Sequence, residues 1–179
     1  MTDPAPSTHR IIHTRASARQ APDLLQAIFV AELISPSRCL WLVSPWISDI
    51  PVIDNRTNAF SALDPLWTRS QVPLSQVLTR LLERGTTVHV ATRPDTRNRA
   101  FLDKIRRAAD PDGLPLRMHE QEELHEKGIL GDGFYLSGSM NFTFSGISLN
   151  EEAVHFVAEP STVAENRVIF LSRWGGELT

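Results

Sequence analysis

One cysteine in 179 residues, Cys39, rules out a disulfide framework within the chain. It lies in the apolar run CLWLV, where a thiol serves as a small buried hydrophobe. Long hydrophobic runs are also missing. Stretches such as Ala27 to Ile34 and Cys39 to Val43 fall well short of the ~20 apolar residues needed to span a bilayer, so no membrane association is expected. The opening MTDPAPSTHR lacks the charged-then-apolar plan of a secretory signal, and the expected location is the cytoplasm. There is no Cys pair, no His-Glu-x-x-His and no Asp-rich loop, so the usual metal sets are absent and no cofactor or metal is expected. A formal net charge of −3 argues against a protein that coats nucleic acid through bulk electrostatics alone. Repeats and low-complexity tracts do not occur.

What remains is an ordinary globular composition, 41% hydrophobic, in a chain long enough for one buried core. Residues 1–20 are polar and proline-containing, with Ile11-Ile12 their apolar pair, and read as a flexible N-terminal arm or a short edge strand. Residues 21–179 read as one domain. Pro22-Asp23 followed by Leu24, Leu25, Ile28, Phe29 and Leu33 has helical period, and CLWLVSPW suits a strand buried on both faces. Residues 48–72 show no sustained period and read as a long loop or small insertion. Leu74, Val77, Leu78, Leu81 and Leu82 mark a second helix stopped by Gly85. The strand TTVHVAT, a helix over about 97–109, the strand LPLRMH, the strand EEAVHFVAE and a closing helix from Thr162 to Trp174 follow. Helices and strands alternate through most of the chain, which predicts an α/β sandwich with a mixed β-sheet between helices.

The most informative stretch is HEKGILGDGFYLSGSMN, His125 to Asn141. On an extended strand, residues two apart share a face, so the spacing predicts that His125 and Lys127 project together, as do Ser139 and Asn141. A His can attack phosphorus or deliver a proton, while an ammonium, an amide and a hydroxyl can hold the charged oxygens of a phosphate. Gly131-Asp132-Gly133 between the two halves is a hairpin signal.

This stretch resembles the HKD motif of the phospholipase D superfamily: His-x-Lys, four residues, Asp, about six residues, Gly-Ser-x-Asn. His125, Lys127 and Asp132 match its first half, and Gly138, Ser139 and Asn141 match its second, with five residues in place of six between them. Six specified positions arise by chance on the order of once in 10⁷ to 10⁸ starts. The continuation NFTFSGISLNEEAV looks like the single-motif bacterial nuclease branch, in which a Glu follows the loop; Glu151 is the better match and Glu152 the fallback. The resemblance implies that Lys127 and Asn141 hold non-bridging oxygens, that Ser139 gives a supporting contact, and that Glu151 fixes the tautomer of a His125. It also implies that Asp132 supports structure near the site rather than attacking phosphorus.

One His cannot be nucleophile and acid at once, and in the family two motifs face each other. None of His9, His13, His89, His119 or His155 has a Lys two residues on; His13-Thr14-Arg15 comes nearest. The second motif is therefore expected from a second chain, as a homodimer around a two-fold axis.

Around this core, Trp46 reads as either a core residue or a base-stacking platform, and Arg93 as a phosphate contact. The basic cluster of Arg93, Arg97, Arg99, Lys104, Arg106 and Arg107 reads as either a nucleic-acid contact or a solvated helix face. The resemblance points first to a nuclease, with DNA favoured over RNA and a role in bacterial defence alongside partner proteins. Two alternatives are a non-catalytic or conditionally active DNA-binding subunit of a defence complex, and a phospholipid hydrolase.

Overall fold

In the computed structural model, residues 9–13, 20–148 and 152–175 are described. The strand β2 (Cys39–Val43) is buried along its whole length, because both of its faces are covered. Cys39, Trp41 and Val43 point to one helical layer, and Leu40 and Leu42 to the other. β5 (Thr87–Thr92) and β6 (Leu116–Glu120) continue from it in parallel. The helices α1 (Gln20–Ile34), α2 (Leu74–Glu83) and α3 (Thr96–Ala109) pack over the Leu40 side through Phe29, Leu33, Leu78, Leu81, Phe101 and Ile105. α5 (Pro160–Trp174) covers the opposite side with Val163, Phe170 and Trp174.

On the other flank of β2 the sheet becomes antiparallel. β7 (Gly128–Leu130) pairs with β2, β8 (Tyr135–Gly138) with β7, β9 (Ala153–Val157) with β8, and β1 (His9–His13) with β9. Among the described residues the sheet thus has seven strands in the order β1-β9-β8-β7-β2-β5-β6, the mixed sheet between helices that the alternating pattern predicts. The N-terminal stretch contributes its edge strand, β1.

Residues 48–72 are more ordered than a loop. β3 (Pro51–Asp54) and β4 (Gln71–Pro73) form a separate antiparallel pair. The fully buried Asn55 organises the excursion between them, its Nδ2 donating to Thr68 O at 3.1 Å and its Oδ1 accepting from Phe60 N at 2.8 Å. Strands of four and three residues, each with a proline at one end, carry too little alternation to be read from sequence. The short helix α4 (Phe144–Ser148) likewise falls below the length at which periodicity is legible.

Beneath α5, the buried His89 lies between the Trp41 ring (5.6 Å between centroids) and the His119 ring (5.3 Å). Its Nδ1 is 3.1 Å from Trp174 O and 3.1 Å from His119 Nε2. Burial, with the neighbouring His119 and Arg117 charges, lowers its pKa from the usual 6.5 to about 4. Above pH 6.5 the ring is neutral in both folded and unfolded chains and contributes no pH dependence. Below it the unfolded chain takes a proton that the folded chain refuses, so stability falls as pH drops from 6.5 toward 4, by at most about 1.4 kcal/mol per unit. Urea unfolding at pH 6.5 and pH 5 should show a loss of about 1–2 kcal/mol in the native chain, and a smaller loss in His89→Gln.

Candidate active site

Strand direction brings the candidate residues to one edge of the sheet. Val43, at the end of β2, pairs with Gly128, at the start of β7, and Gly128 pairs with Ser137 near the end of β8. Gly138 pairs with Val154 at the start of β9. The tips of β2 and β5, the approach to β7, the exit of β8 and the entry to β9 therefore share one pole. That pole carries Trp46, Arg93, His125, Lys127, Ser139, Asn141 and Glu152.

His125 and Lys127 do not lie on a strand, as their spacing suggested. They occupy the segment before β7, anchored by the buried Leu124. Lys127 Nζ donates to His125 O at 2.6 Å, so the ammonium folds back over the His backbone. Burial lowers the Lys127 pKa below its ordinary range; the Glu152 carboxylate works against this and the Arg93 charge adds to it. His125 is exposed, and Arg93 Nη2 stands 3.0 Å from its Nε2 and 3.3 Å from its Nδ1. A guanidinium has only donors, so the ring nitrogen that accepts from it carries a lone pair. Arg93 is itself pinned by Nε donating to Leu124 O at 2.8 Å.

Ser44 Oγ lies 2.9 Å from Trp46 O, to which it donates, and 3.2 Å from Asn141 Oδ1, with its single proton shared between the two, so the Asn141 amide is held against the tip of β2. Ser139 Oγ donates to the Glu152 carboxylate and accepts from Ala153 N at 3.1 Å. The carboxylate that the structure places beside Ser139 is thus Glu152; Glu151 lies outside the described residues. Gly138 makes this approach possible. A Cβ there would stand 2.0 Å from Ala153 O, and its φ of +154° suits glycine.

Asp132 lies at the other pole. With Gly133 it forms the tight turn between β7 and β8, closed by Gly131 N donating to Phe134 O at 3.0 Å. Neither Asp132 nor Gly133 has positive φ, so the turn does not use the left-handed geometry for which Asp-Gly is favoured. The carboxylate serves a different end. It accepts from Arg38 N at 2.9 Å and from Arg167 Nη2 at 2.7 Å, tying the entry of β2 to α5. Six residues lie between it and His125, a span of roughly 20 Å when extended.

Trp46 is half-buried at the rim of the pole. Its Nε1 donates to Asp95 Oδ2 at 3.2 Å, and the Arg97 and Arg93 guanidinium carbons lie 4.5 Å and 5.6 Å from its ring centroid. Asp95 caps α3 by accepting from Arg97 N and holds the Arg97 side chain at 2.6 Å; these bonds, with that from Trp46, push its pKa well below the usual carboxylate range. The basic cluster does not act as one patch. Arg97 pairs with Asp95, Lys104 with Asp49 and Arg106 with Asp103. Arg93, Arg97 and Arg99 lie near the site pole, whereas Arg106 and Arg107 lie about two turns further along α3.

Two supports went unrecognised in the sequence. The fully buried Asn98 accepts from Ile47 N at 2.8 Å and donates to Pro45 O at 3.0 Å and Arg93 O at 2.8 Å, clamping the tips of β2 and β5 together. The buried Ser44 orients Asn141. Asn98 sits in the charged run TRNRAFLDK, where an Asn reads as surface; its only signal is the i+3 position after the Asp95 cap.

The chain is similar to known proteins in the following ways. The family model described as "Cardiolipin synthase, PLD-like domain" matches residues 58–174. A curated relative, mitochondrial cardiolipin hydrolase from Danio rerio, is 31% identical over 114 residues, covering 61% of this chain and 48% of that protein. The chain therefore spans about half the length of that relative. Two solved structures share the fold at low identity. NucT from Helicobacter pylori has a TM-score of 0.60 at 12% identity, covering 92% of this chain and 93% of that one. The phospholipase D family member Nuc from Salmonella typhimurium has a TM-score of 0.59 at 17% identity, covering 93% of each.

The contrast between two glycines tests this geometry. Gly138→Ala forces backbone movement and should cost more than about 2 kcal/mol of stability, whereas Gly133→Ala, with nothing within 4 Å of its Cβ, should cost less than about 1 kcal/mol. Urea unfolding of the two variants gives the comparison.

Proposed function

Because this chain belongs to the phospholipase D-like family, we propose that it is a phosphodiesterase that cuts nucleic acid without a metal, through a phosphohistidine, at a site completed by a second copy of the chain. The carrying observation is the half-site itself. One imidazole, one ammonium and one amide sit at the same exposed sheet pole, and a single His cannot attack phosphorus from one side while protonating the leaving oxygen on the other. His125 is exposed, and the clefts of about 580 Å³ and 380 Å³ lie beside Asp132 at the opposite pole, which fits a site that a two-fold partner closes.

A neutral His125 nitrogen attacks phosphorus, and the bond to the leaving oxygen breaks as that oxygen takes a proton from the His125 of the second copy. Lys127 and Asn141 hold the non-bridging oxygens, while Ser139, braced on Glu152, supports their position. The deprotonated second His then takes a proton from water, whose oxygen attacks phosphorus and releases the first imidazole. Arg93 must release the ring nitrogen before attack, and its donors then face the incoming phosphate. The chain's own residues supply nucleophile, acid and charge stabilisation.

The Danio rerio relative's name favours a second reading, hydrolysis of a phospholipid diester, which would use the same steps on a different leaving group. Among the described residues no helix is long and apolar enough to cross a membrane. A place in a bacterial defence assembly, as its nuclease or as its DNA-binding subunit, rests on motif and size, and neighbouring helicase, methylase or base-modification genes would support it.

Cleavage of plasmid, RNA or single-stranded oligonucleotides should persist in EDTA, and a complete loss restored by Mg²⁺ would refute the mechanism. Cleavage of cardiolipin vesicles with no action on nucleic acid would select the lipid reading. His125→Ala should lose at least about 10³-fold in rate. Sedimentation should give a species of about twice 20.0 kDa, and a fully active monomer would rule out the shared site.

A further inference from the structure

We propose that Trp46 is a nucleobase platform, and that the substrate presents an unpaired base beside the scissile phosphate: single-stranded rather than duplex nucleic acid. This rests on the nucleic-acid reading given above. The indole is fixed at its edge by the bond from Nε1 to Asp95 at 3.2 Å. Its backbone is held as well, since Ser44 Oγ donates to Trp46 O at 2.9 Å and the buried Asn98 accepts from the next amide, Ile47 N. A ring locked this way loses little freedom when a base settles on it, so stacking energy is not spent on ordering the platform.

A planar group already occupies the ring face. The Arg97 guanidinium lies over it with its central carbon 4.5 Å from the centroid, so this face of the ring already takes a planar group as a neighbour. Arg97 is also the partner able to leave, because its side chain is 64% exposed and its ion pair with Asp95 is a surface pair of small net worth. Freed by an arriving base, its donors can turn to the adjoining phosphate, which offers the same charge as Asp95. Arg93 is different. It is held at Leu124 O and reaches from 5.6 Å off the ring to 3.0 Å from His125 Nε2, so one guanidinium spans the gap between platform and attacking imidazole. A base on Trp46 would therefore belong to a nucleotide flanking the phosphate at His125.

Geometry also sets the strand preference. In a duplex each base face is covered by its stacked neighbours and its edge is paired, so a duplex cannot lay a base on a ring at this rim without unstacking it first. A single strand offers its bases at little cost, and aromatic stacking is tolerant of base identity. The inference thus adds a strand preference and a residue that sets it, without sequence specificity.

The test measures binding in a His125→Asn background, so that no strand is cut. A fluorescent single-stranded 12-mer is followed by anisotropy against an abasic 12-mer of the same backbone and against the 12-mer's duplex. The base-bearing strand should bind roughly 5- to 100-fold tighter than the abasic one, and tighter than the duplex. Trp46→Ala should bring the ratio of base-bearing to abasic affinity close to one while leaving abasic binding nearly unchanged. Trp46→Phe should keep an intermediate ratio, and Arg97→Ala should keep or raise it while weakening both strands. Trp46→Phe also guards against a fold defect in the Ala variant, and a full ratio retained in both Trp46 variants would overturn the platform. Equal binding of base-bearing and abasic strands by the parent overturns the platform but leaves the nucleic-acid reading standing. Absence of binding to any of the three nucleic acids overturns both.

Discussion

The antiparallel pairing of β7 with β2 is the constraint on which the site depends. β2, β5 and β6 run parallel, and any parallel addition to β2 would have carried the start of the next strand to the far pole. Because β7 runs the other way, its N-terminal approach, with His125 and Lys127, arrives at the tips of β2 and β5. The two antiparallel steps beyond it return the end of β8 and the start of β9 to the same place. Gly128, at the register position opposite Val43, allows the close approach: a Cβ there would lie 2.5 Å from Leu136 O. A slip of one residue in this ladder would turn the side chains of β7 to the opposite faces and misplace His125 and Lys127 relative to the tips.

Polar side chains buried behind the pole hold this arrangement. Asn98 satisfies three backbone groups at the strand tips, where no further strand can complete the ladder. Left unpaired, Ile47 N would cost about 1–3 kcal/mol; Pro45 O and Arg93 O also accept from Arg93 N and Asp95 N. Ser44 does similar work for Asn141, and the Ser139–Glu152 contact joins the exit of β8 to the entry of β9. At the opposite pole Asp132, Ser37 and the buried Glu32 form a matching set. Ser37 Oγ donates to Glu32 and accepts from Asp132 N, and burial raises the Glu32 pKa above its usual range. The motif thus divides by position: its His, Lys and Asn lie at the pole of the proposed site, and its Asp fastens the far end of the hairpin beside them.

Legibility in the sequence followed the length of each element and the range of the interaction that decides it. The helices of ten residues or more showed a 3.6 period or a cap, and β2 and β5 showed unbroken apolar runs, so these could be read locally. β3, β4 and α4 were too short to carry a period. The site's residue types were visible because the motif is contiguous, but their setting was not. His125 and Lys127 were expected on a strand, whereas β7 starts at Gly128, because the pairing with β2 ends at Val43 and nothing before Gly128 has a ladder partner. Arg93 against His125, and Asn98 beneath both tips, are contacts across more than thirty and fifty residues respectively. They depend on the parallel pairing of β2 with β5 and, for His125, on the antiparallel pairing of β2 with β7, neither of which a local pattern encodes.

The charge of the chain takes on a different meaning once these contacts are known. At physiological ionic strength screening extends about 8 Å, so a formal total of −3 spread over the surface says little about a phosphate at His125. What acts there is the short-range set of Arg93 and Lys127, opposed by Glu152, with Arg97 one ring further out and held by Asp95. Further along α3, Lys104 and Arg106 pair with Asp49 and Asp103. A cation in an ion pair offers an incoming phosphate a change of partner rather than a new attraction, and the gain is the difference between two carboxylate-like acceptors. Arg93 and Lys127 differ from these: Arg93 donates to Leu124 O and the His125 ring, and Lys127 turns inward. Its ammonium is folded onto a neutral carbonyl, His125 O, and burial has already weakened its hold on the proton. A dianionic phosphorane near it would gain the full interaction, about 4 kcal/mol per unit charge at 4 Å with an effective dielectric of about 20. In the proposed half-site the positive charge open to a phosphate is therefore that of Arg93 and Lys127, and a two-fold axis that placed a second such pair across the same phosphorus would double it without altering the sign of the protein as a whole.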